Sequence, residues 1–171
     1  MSSLSQATQN PNSDTRSEVQ VNWGQADGIH YMLWWSMTEF TIPGSPKPQQ
    51  RHRVARNGRM YDPSSKDKKQ TWLQIALHCP KLPLAGDISI KLVFYMGRPK
   101  NHYRTGKYKH LLKDKTPYWH SFKPDIDNLC KYVMDTIQGK HGFICDDSQI
   151  CILQAEKKYG IPRTRVTIEE I

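Results

Sequence analysis

The most acidic part of the chain, residues 123–149, contains side chains that could together bind a metal ion. It reads KPDIDNLCKYVMDTIQGKHGFICDDSQ and includes Asp125, Asp127, Asp135, Asp146 and Asp147. Carboxylates gathered around one point repel each other and raise each other's pKa values. A hard divalent cation removes that penalty, and Mg²⁺ favours a few carboxylates together with water and phosphate oxygens. A metal held in this way can activate a water molecule against a phosphodiester.

The two aspartates of the D-I-D motif must face the same way if they are to share an ion. On a helix, Asp125 and Asp127 would be about 200° apart, whereas residues i and i+2 of an extended segment share a face. The sequence therefore predicts that Asp125 precedes a helix and that Asp127 is its N-cap, with Lys131 one turn later. An antiparallel return of the chain would bring Asp146 or Asp147 back to the start of this helix.

The same residues also have an ordinary structural explanation. Asp127 is a good helix cap, Asp125 fits a turn, and D-D-S is a common turn sequence. Lys131 can form an i,i+4 ion pair with Asp127, which contributes only about 0.3–0.5 kcal/mol when it is exposed. The spacing alone leaves both interpretations open.

The elements predicted around this segment form an α+β domain at residues 37–171. Strands are predicted at residues 37–42, 88–96, 149–158 and 163–168 and helices at residues 63–79 and 127–138, from apolar periodicity and β-branched content. A short hairpin is expected around Asn57-Gly58. We expect a mixed sheet of about four strands with two main helices, preceded by a disordered or weakly ordered arm at residues 1–36.

Positive charge is concentrated in the predicted domain. The chain has a net charge of +9, and residues 1–36 carry −2, which leaves +11 for the remainder. Such a surplus favours a polyanionic partner, most often a nucleic acid. The candidate nucleic-acid-binding residues are Arg51, Arg53, Arg56, Arg59, Lys107, Lys109, Lys123 and Lys131. The alternative for the arginines of the hairpin is a solvated basic face.

The loop at residues 97–123 carries aromatic side chains among its basic residues. A loop of this length in a compact domain is uncommon and is usually functional or mobile. Its aromatic residues could stack on bases that are unpaired at a branch point of DNA. Alternatively, Trp119 and Phe122 anchor the loop to the domain, and the sequence leaves both explanations open.

Composition disfavours several classes of protein. The chain lacks a run of about 18 apolar residues, and its N-terminal residues lack the pattern of a secretory signal peptide. The cysteines do not have the spacing of a zinc site, and reduced thiols are expected. We therefore expect a cytoplasmic protein without a membrane-spanning segment.

Two acidic motifs together resemble the RusA family of Holliday junction resolvases, which is common in phages and prophages. The likeness rests on K-P-D-I-D-N-L-x-K-x-x-x-D, followed by G-F-I-x-D-D-S-Q-I and a strand that ends in E-K-K-Y. It extends from about Met37 to the C-terminus. The combination of the two motifs is specific, whereas either half alone is not.

The resemblance implies a homodimeric, Mg²⁺-dependent endodeoxyribonuclease, and we expect that Mn²⁺ can substitute for Mg²⁺. It implies that Asp125, Asp127 and Asp147 bind the metal and that Lys131 is required for activity, with Asp146 as a neighbour. Each subunit would nick one of two opposed strands of a four-way DNA junction, in DNA recombination and repair. The protein would work in the cytoplasm of a bacterial or phage-infected cell.

Two other functions are compatible with these residues. One is a non-catalytic nucleic-acid-binding module whose aspartates only cap and turn. The other is a nuclease of the same chemistry that prefers flaps or forks, because branch geometry is recognised by the dimer as a whole.

Overall fold

The computed structural model describes residues 37–171, and the arm predicted at residues 1–36 lies outside the described residues. The elements follow in the order β1 (Met37–Pro43), β2 (Arg53–Val54), β3 (Met60–Tyr61), α1 (Ser65–Ile75), β4 (Ile88–Met96), α2 (Ile126–Ile137), β5 (Ile150–Tyr159) and β6 (Arg163–Glu170). The first predicted helix ends early because α1 tightens into a 3₁₀ turn at Ala76–His78. None of the helices in this part of the chain is long and apolar enough to span a membrane.

The four long strands form one mixed sheet in the order β1-β6-β4-β5. β6 lies antiparallel to both β1 and β4, whereas β4 and β5 are parallel. The short strands β2 and β3 form a separate hairpin. The α+β fold with a mixed sheet and two main helices is therefore confirmed. β5 lies at an edge of the sheet, where β4 is its one strand neighbour among the described strands.

Alternating residues of β4 form the centre of the core. Ile88, Ile90 and Leu92 are fully buried, because side chains two positions apart in a strand share a face. α2 packs against the same cluster through the buried residues Leu129, Cys130, Val133 and Ile137 and the partly buried Met134. Burial of each large apolar side chain contributes about 1.5–3 kcal/mol. This packing fixes α2 relative to the sheet.

An ion network attaches the hairpin to both helices. Lys68 on α1 donates to Asp62, which follows β3, and to Asp135 on α2, each at 2.8 Å. Asp62 also accepts a hydrogen bond from Gln49 Nε2 at 3.3 Å. The backbone N–H of Gln49 donates to the carbonyl oxygen of Asn128 in the first turn of α2 at 2.8 Å. The hairpin is therefore held close to the start of α2.

The hairpin itself turns at Asn57-Gly58, as predicted. Gly58 has a φ of +78°, in the left-handed region that glycine adopts without strain. The side chain of Asn57 accepts a hydrogen bond from the backbone N–H of Arg59 at 3.2 Å. Nearly all side chains from Arg51 to Tyr61 are exposed, so the hairpin is an exposed basic segment at the surface of the domain.

Candidate active site

Asp125 and Asp127 lie together at the N-terminus of α2. Asp125 is the N-cap residue with an extended backbone (φ −71°, ψ +145°), and its side chain makes no capping hydrogen bond. Asp127 is the second residue of the helix, so the prediction that it is the N-cap is wrong. The helix begins earlier because the backbone N–H of Leu129 donates to the carbonyl oxygen of Asp125 at 3.2 Å.

Both carboxylates line one cavity of about 650 Å³ between the start of α2 and the end of β5. The other lining residues are Ile126 of α2, the end of the 97–123 loop, and Ala155, Glu156 and Lys157 of β5. The volume falls in the range of ligand pockets, about 300–1,000 Å³. The predicted pairing of Asp125 with Asp127 on one face is therefore present, although the helix boundary differs.

Two charged residues of β5 reach this cavity, and the sequence pattern did not assign a role to them. Lys157 donates to the carbonyl oxygens of Phe122 at 2.7 Å and Pro124 at 2.6 Å, which fixes the chain just before α2. Glu156 forms an ion pair with Lys158 at 3.0 Å. Both belong to the E-K-K-Y segment, but only the position of β5 beside the start of α2 brings them to the cavity.

Lys131 lies one helical turn beyond Asp127, as predicted. Its Nζ is 3.8 Å from Asp127 Oδ2, and the side chains are 60% and 61% exposed. A solvated pair at this separation contributes little to folding. The ammonium group of Lys131 is therefore available to a bound phosphate.

Two other titratable groups near the aspartates are uncharged at neutral pH. Burial, and beyond it the Asp127 carboxylate, raises the pKa of the Cys130 thiol to about 11. Burial and the nearby Lys157 lower the pKa of His120, which lines the cavity. A protonated thiol is not a metal ligand, and a hard cation such as Mg²⁺ prefers oxygen to imidazole nitrogen, so the carboxylates are the groups here that suit it.

Asp146 and Asp147 lie in the turn that precedes β5. Asp146 Oδ1 accepts a hydrogen bond from the backbone N–H of Ser148 at 3.0 Å, and hydrogen bonding with the Ser148 side chain and then with its backbone lowers the pKa of Asp146. The Gln149 side chain accepts from the backbone N–H of Asp146 at 3.0 Å and completes a capping box. The turn therefore uses the carboxylate of Asp146, whereas that of Asp147 makes no hydrogen bond or ion pair within residues 37–171.

A single chain does not bring Asp147 to Asp125 and Asp127. The backbone N–H of Asp147 donates to Gln138 Oε1 at 3.0 Å, and Gln138 is the C-cap of α2, whereas Asp125 is its N-cap. A helix of 12 residues separates its two ends by about 18 Å. Among residues 37–171, no group of three or more His, Cys, Asp or Glu side chains is placed to hold a metal ion.

The chain does return antiparallel to α2, but Asp146 and Asp147 lie at the beginning of this return, beside the end of the helix and not at its start. Gly139, with a φ of +114°, opens a tight turn in which the backbone N–H of Phe143 donates to the carbonyl oxygen of Ile137 at 2.7 Å. The turn is so short that β5 starts beside the end of α2. A strand rises about 3.3 Å per residue, so only the far end of β5, at Lys157, reaches the start of the helix.

The candidate nucleic-acid-binding side chains are exposed. They are Arg51, Arg53, Arg56, Arg59, Lys107, Lys109, Lys123 and Lys131. Lys123 also lines the cavity with the two aspartates, and the hairpin arginines are tethered near the first turn of α2 through Gln49 and Asn128. Contact between these residues and a nucleic acid stays a prediction.

The fold and the cavity together define the class: a basic α+β protein with acidic and cationic side chains grouped at one opening. The family model of Endodeoxyribonuclease RusA matches residues 43–169. The chain therefore belongs to the RusA family, and membership implies an endodeoxyribonuclease of the Holliday junction resolvase type. None of the curated proteins compared with the chain matches it.

Proposed function

We propose that this protein is a Mg²⁺-dependent endonuclease that resolves four-way DNA junctions by paired nicking, in recombination and repair. Asp125, Asp127 and Asp147 hold the ion in this proposal, and Mn²⁺ can substitute for Mg²⁺. The observation that carries it is the pairing of Asp125 with Asp127 at one cavity beside Lys131, in a member of the RusA family. The basic surface binds the DNA backbone and supplies most of the affinity.

The residues at the cavity fit a hard divalent cation. Mg²⁺ prefers carboxylate oxygens, and the carboxylate of Asp125 is not used to cap the helix. When bound, the ion supplies an activated water and neutralises charge on the phosphodiester. Lys131 holds an ammonium group near Asp127, where it stabilises negative charge that develops on the phosphate. Lys123 and Lys157 add positive charge at the same opening and attract the backbone.

The third carboxylate is proposed to come from a second copy of the chain. Among the described residues, the edge of β5 that faces away from β4 forms backbone hydrogen bonds only near its end, where Trp119 makes a β-bridge with Lys158. The rest of that edge is open, and Ile152 and Leu153 are each 45% exposed. An open strand edge with apolar side chains favours pairing with a strand of another chain.

Antiparallel pairing of two β5 edges about a two-fold axis would complete both sites. If the axis lies between Cys151 and Ile152, Leu153 pairs with Ile150 of the partner subunit, and Asp147 of the partner subunit, in the turn just before that strand, comes near Glu156. Glu156 lines the cavity that contains Asp125 and Asp127. Each site then combines two carboxylates of one subunit with one of the other. Two symmetric sites also match the two opposed strands that paired nicking requires.

Cleavage of a synthetic four-way junction, with Mg²⁺ and with EDTA, tests the proposal. The wild-type protein is expected to nick only with the metal, which separates it from a non-catalytic binding module. Asp125→Asn, Asp127→Asn and Asp147→Asn are each expected to lower the nicking rate at least about a hundredfold while the Kd for the junction changes little. Asp67→Asn, which changes an exposed carboxylate on α1, serves as the control. Wild-type nicking by Asp125→Asn, or nicking in EDTA, would contradict the assignment.

A further inference from the structure

Trp119 and Phe122 lie at the opening of the cavity with their side chains largely in water. Trp119 is 56% exposed and Phe122 is 65% exposed, and both line the cavity that contains Asp125 and Asp127. Burial of large aromatic side chains is a main source of folding stability. The domain gains little of that stability from these two residues, so they do not anchor the loop.

The backbone that carries the two aromatic residues is fixed to the end of β5. The backbone N–H of Tyr159 donates to the carbonyl oxygen of Tyr118 at 3.0 Å, and that of His120 donates to the carbonyl oxygen of Lys157 at 3.1 Å. The ammonium group of Lys157 also donates to the carbonyl oxygen of Phe122 at 2.7 Å. A rigid backbone presents the rings at a low cost in conformational entropy on binding.

The side chain that anchors this segment is His120. Its ring lies 4.8 Å from the ring of Tyr159, and His102 packs on the same tyrosine at 4.9 Å. The guanidinium of Arg98 is 5.2 Å from that ring, and Tyr159 is only 7% exposed. Because neighbouring side chains in an extended segment point to opposite sides, an inward His120 directs Trp119 outward. Phe122 follows where the chain bends, and its exposed ring lies 6.1 Å from that of His120.

We propose that Trp119 and Phe122 stack on a nucleobase that is left unpaired at the branch point, next to the phosphate that is cut. The inference rests on the proposed function, since it takes branched DNA as the ligand. Lys123 and Lys157 at the same opening supply positive charge for the adjoining backbone. Stacking tolerates any sequence, because every base has a π face. An intact duplex keeps its bases paired, so the two rings favour branched DNA over duplex.

Binding measured in EDTA separates this stacking from cleavage. The Kd values of the wild type, Trp119→Ala and Phe122→Ala are compared for a four-way junction and for a duplex of the same sequence. Each variant is expected to bind the junction about tenfold more weakly, as for the loss of one stacked base, with a duplex Kd changed less than about twofold. A 2-aminopurine at the branch point is expected to be quenched by the wild type and not by Trp119→Ala.

Three further variants serve as controls. Trp119→Phe keeps a π face and is expected to retain the preference for the junction, whereas Trp119→Leu keeps only apolar bulk and is expected to lose it. Tyr108→Ala removes another aromatic of the same loop, 48% exposed and absent from the cavity lining, and is expected to change nothing.

Three results would overturn the inference. The first is that Trp119→Ala or Phe122→Ala loses as much affinity for the duplex as for the junction. The second is that Trp119→Leu prefers the junction as strongly as the wild type does. The third is that Trp119→Ala converts dimers to monomers. The last result would assign the rings to the contact between two copies of the chain. Failure of the proposed function would give a different result. The wild type would then nick no DNA in the presence of Mg²⁺, whether or not it prefers the junction over the duplex in EDTA.

Discussion

Lys131 stands one helical turn beyond Asp127, and the ion pair between them is long and solvated. With Nζ and Oδ2 3.8 Å apart and both side chains about 60% exposed, the pair resembles the surface pairs that contribute about 0–1 kcal/mol. Such a weak ion pair does not explain why a lysine lies next to the two aspartates. Its position suits contact with a phosphate drawn to the cavity.

Lys131→Met is therefore expected to lower the nicking rate of a four-way junction about a hundredfold, the usual loss when a charge-stabilising donor is removed. The free energy of unfolding is expected to change by less than about 0.5 kcal/mol. Single-turnover nicking with Mg²⁺ and urea titration measure the two quantities. Lys140→Met, which removes an exposed lysine just beyond the other end of α2, is the matched control. An unchanged nicking rate would leave Lys131 with only its ion pair.

Local spacing predicted the residues that lie close together along the chain. The D-I-D motif placed Asp125 and Asp127 on one side, and the i+4 position placed Lys131 beside them. Asp147 could not be placed in this way, because its location depends on how many residues the turn after α2 contains. Glu156 reaches the cavity through the register of β5, which is a long-range property that no short motif specifies.

Among the elements, α1, α2 and the hairpin are held together by a few partly buried charges. The side chain of Lys68 is 16% exposed and that of Asp62 is 18% exposed. Burial by itself raises the pKa of Asp62, but hydrogen bonds from Lys68, the Ser64 backbone and Gln49 outweigh it and hold that pKa below its ordinary value. A carboxylate of this kind stabilises the fold above its unfolded-state pKa, and the contribution is lost as the pH falls through its folded-state pKa.

Asp62→Asn is expected to lower the free energy of unfolding at pH 7 by about 1–3 kcal/mol, since it removes a charged hydrogen-bond acceptor from a partly buried lysine. The difference from the wild type is expected to shrink as the pH falls below about 4 and through the folded-state pKa of Asp62, which lies under its ordinary value. Urea titrations across this range measure both effects.

The control for this prediction is Asp67→Asn, on the surface of α1. Asp67 pairs with Lys47 at 2.7 Å, but the two side chains are 41% and 44% exposed. Its replacement is expected to cost less than about 0.5 kcal/mol at pH 7. If the two variants were equally stable, or if the Asp62→Asn difference did not depend on pH, the network would not hold the hairpin as described.

Elements with strong apolar periodicity were predicted well from the sequence. β4 has the predicted bounds, because its alternating residues Ile88 to Phe94 face one core. The start of α2 was misplaced, since the choice of Asp125 or Asp127 as N-cap depends on which carbonyl accepts the first helical hydrogen bond. The fixed end of the 97–123 loop was also missed. Its contacts with β5 come from backbone groups, from the Lys157 side chain and from His120 packed on Tyr159, and such long-range contacts leave no local pattern in the sequence.

At the scale of the whole molecule, the length of α2 separates Asp125 and Asp127, at the start of the helix, from Asp147, which lies beside its end. The two-fold pairing proposed for β5 makes the site a property of the dimer, with Asp125 and Asp127 from one subunit and Asp147 from the other. Within residues 37–171 of one subunit, the three aspartates are not grouped around a single point. Mixing inactive variants distinguishes a shared site from a site within one chain.

A refolded equimolar mixture of Asp125→Asn and Asp147→Asn is expected to regain nicking, although each variant alone is inactive. A mixed dimer has one intact site, made from Asp125 of one chain and Asp147 of the other, while its second site lacks both carboxylates. Random pairing makes half of the dimers mixed, so about a quarter of the wild-type nicking is expected. Most of these junctions should carry a single nick on a denaturing gel.

A mixture of Asp125→Asn with Asp127→Asn is the matched control for this experiment. Both carboxylates belong to the same half of the proposed site, so every site in every mixed dimer lacks one of them. This mixture is expected to stay inactive after the same refolding, whereas wild-type protein treated identically recovers. Recovery in both mixtures, or in neither, would contradict a site shared across β5, because only the shared arrangement makes Asp147 exchangeable independently of the two aspartates of α2.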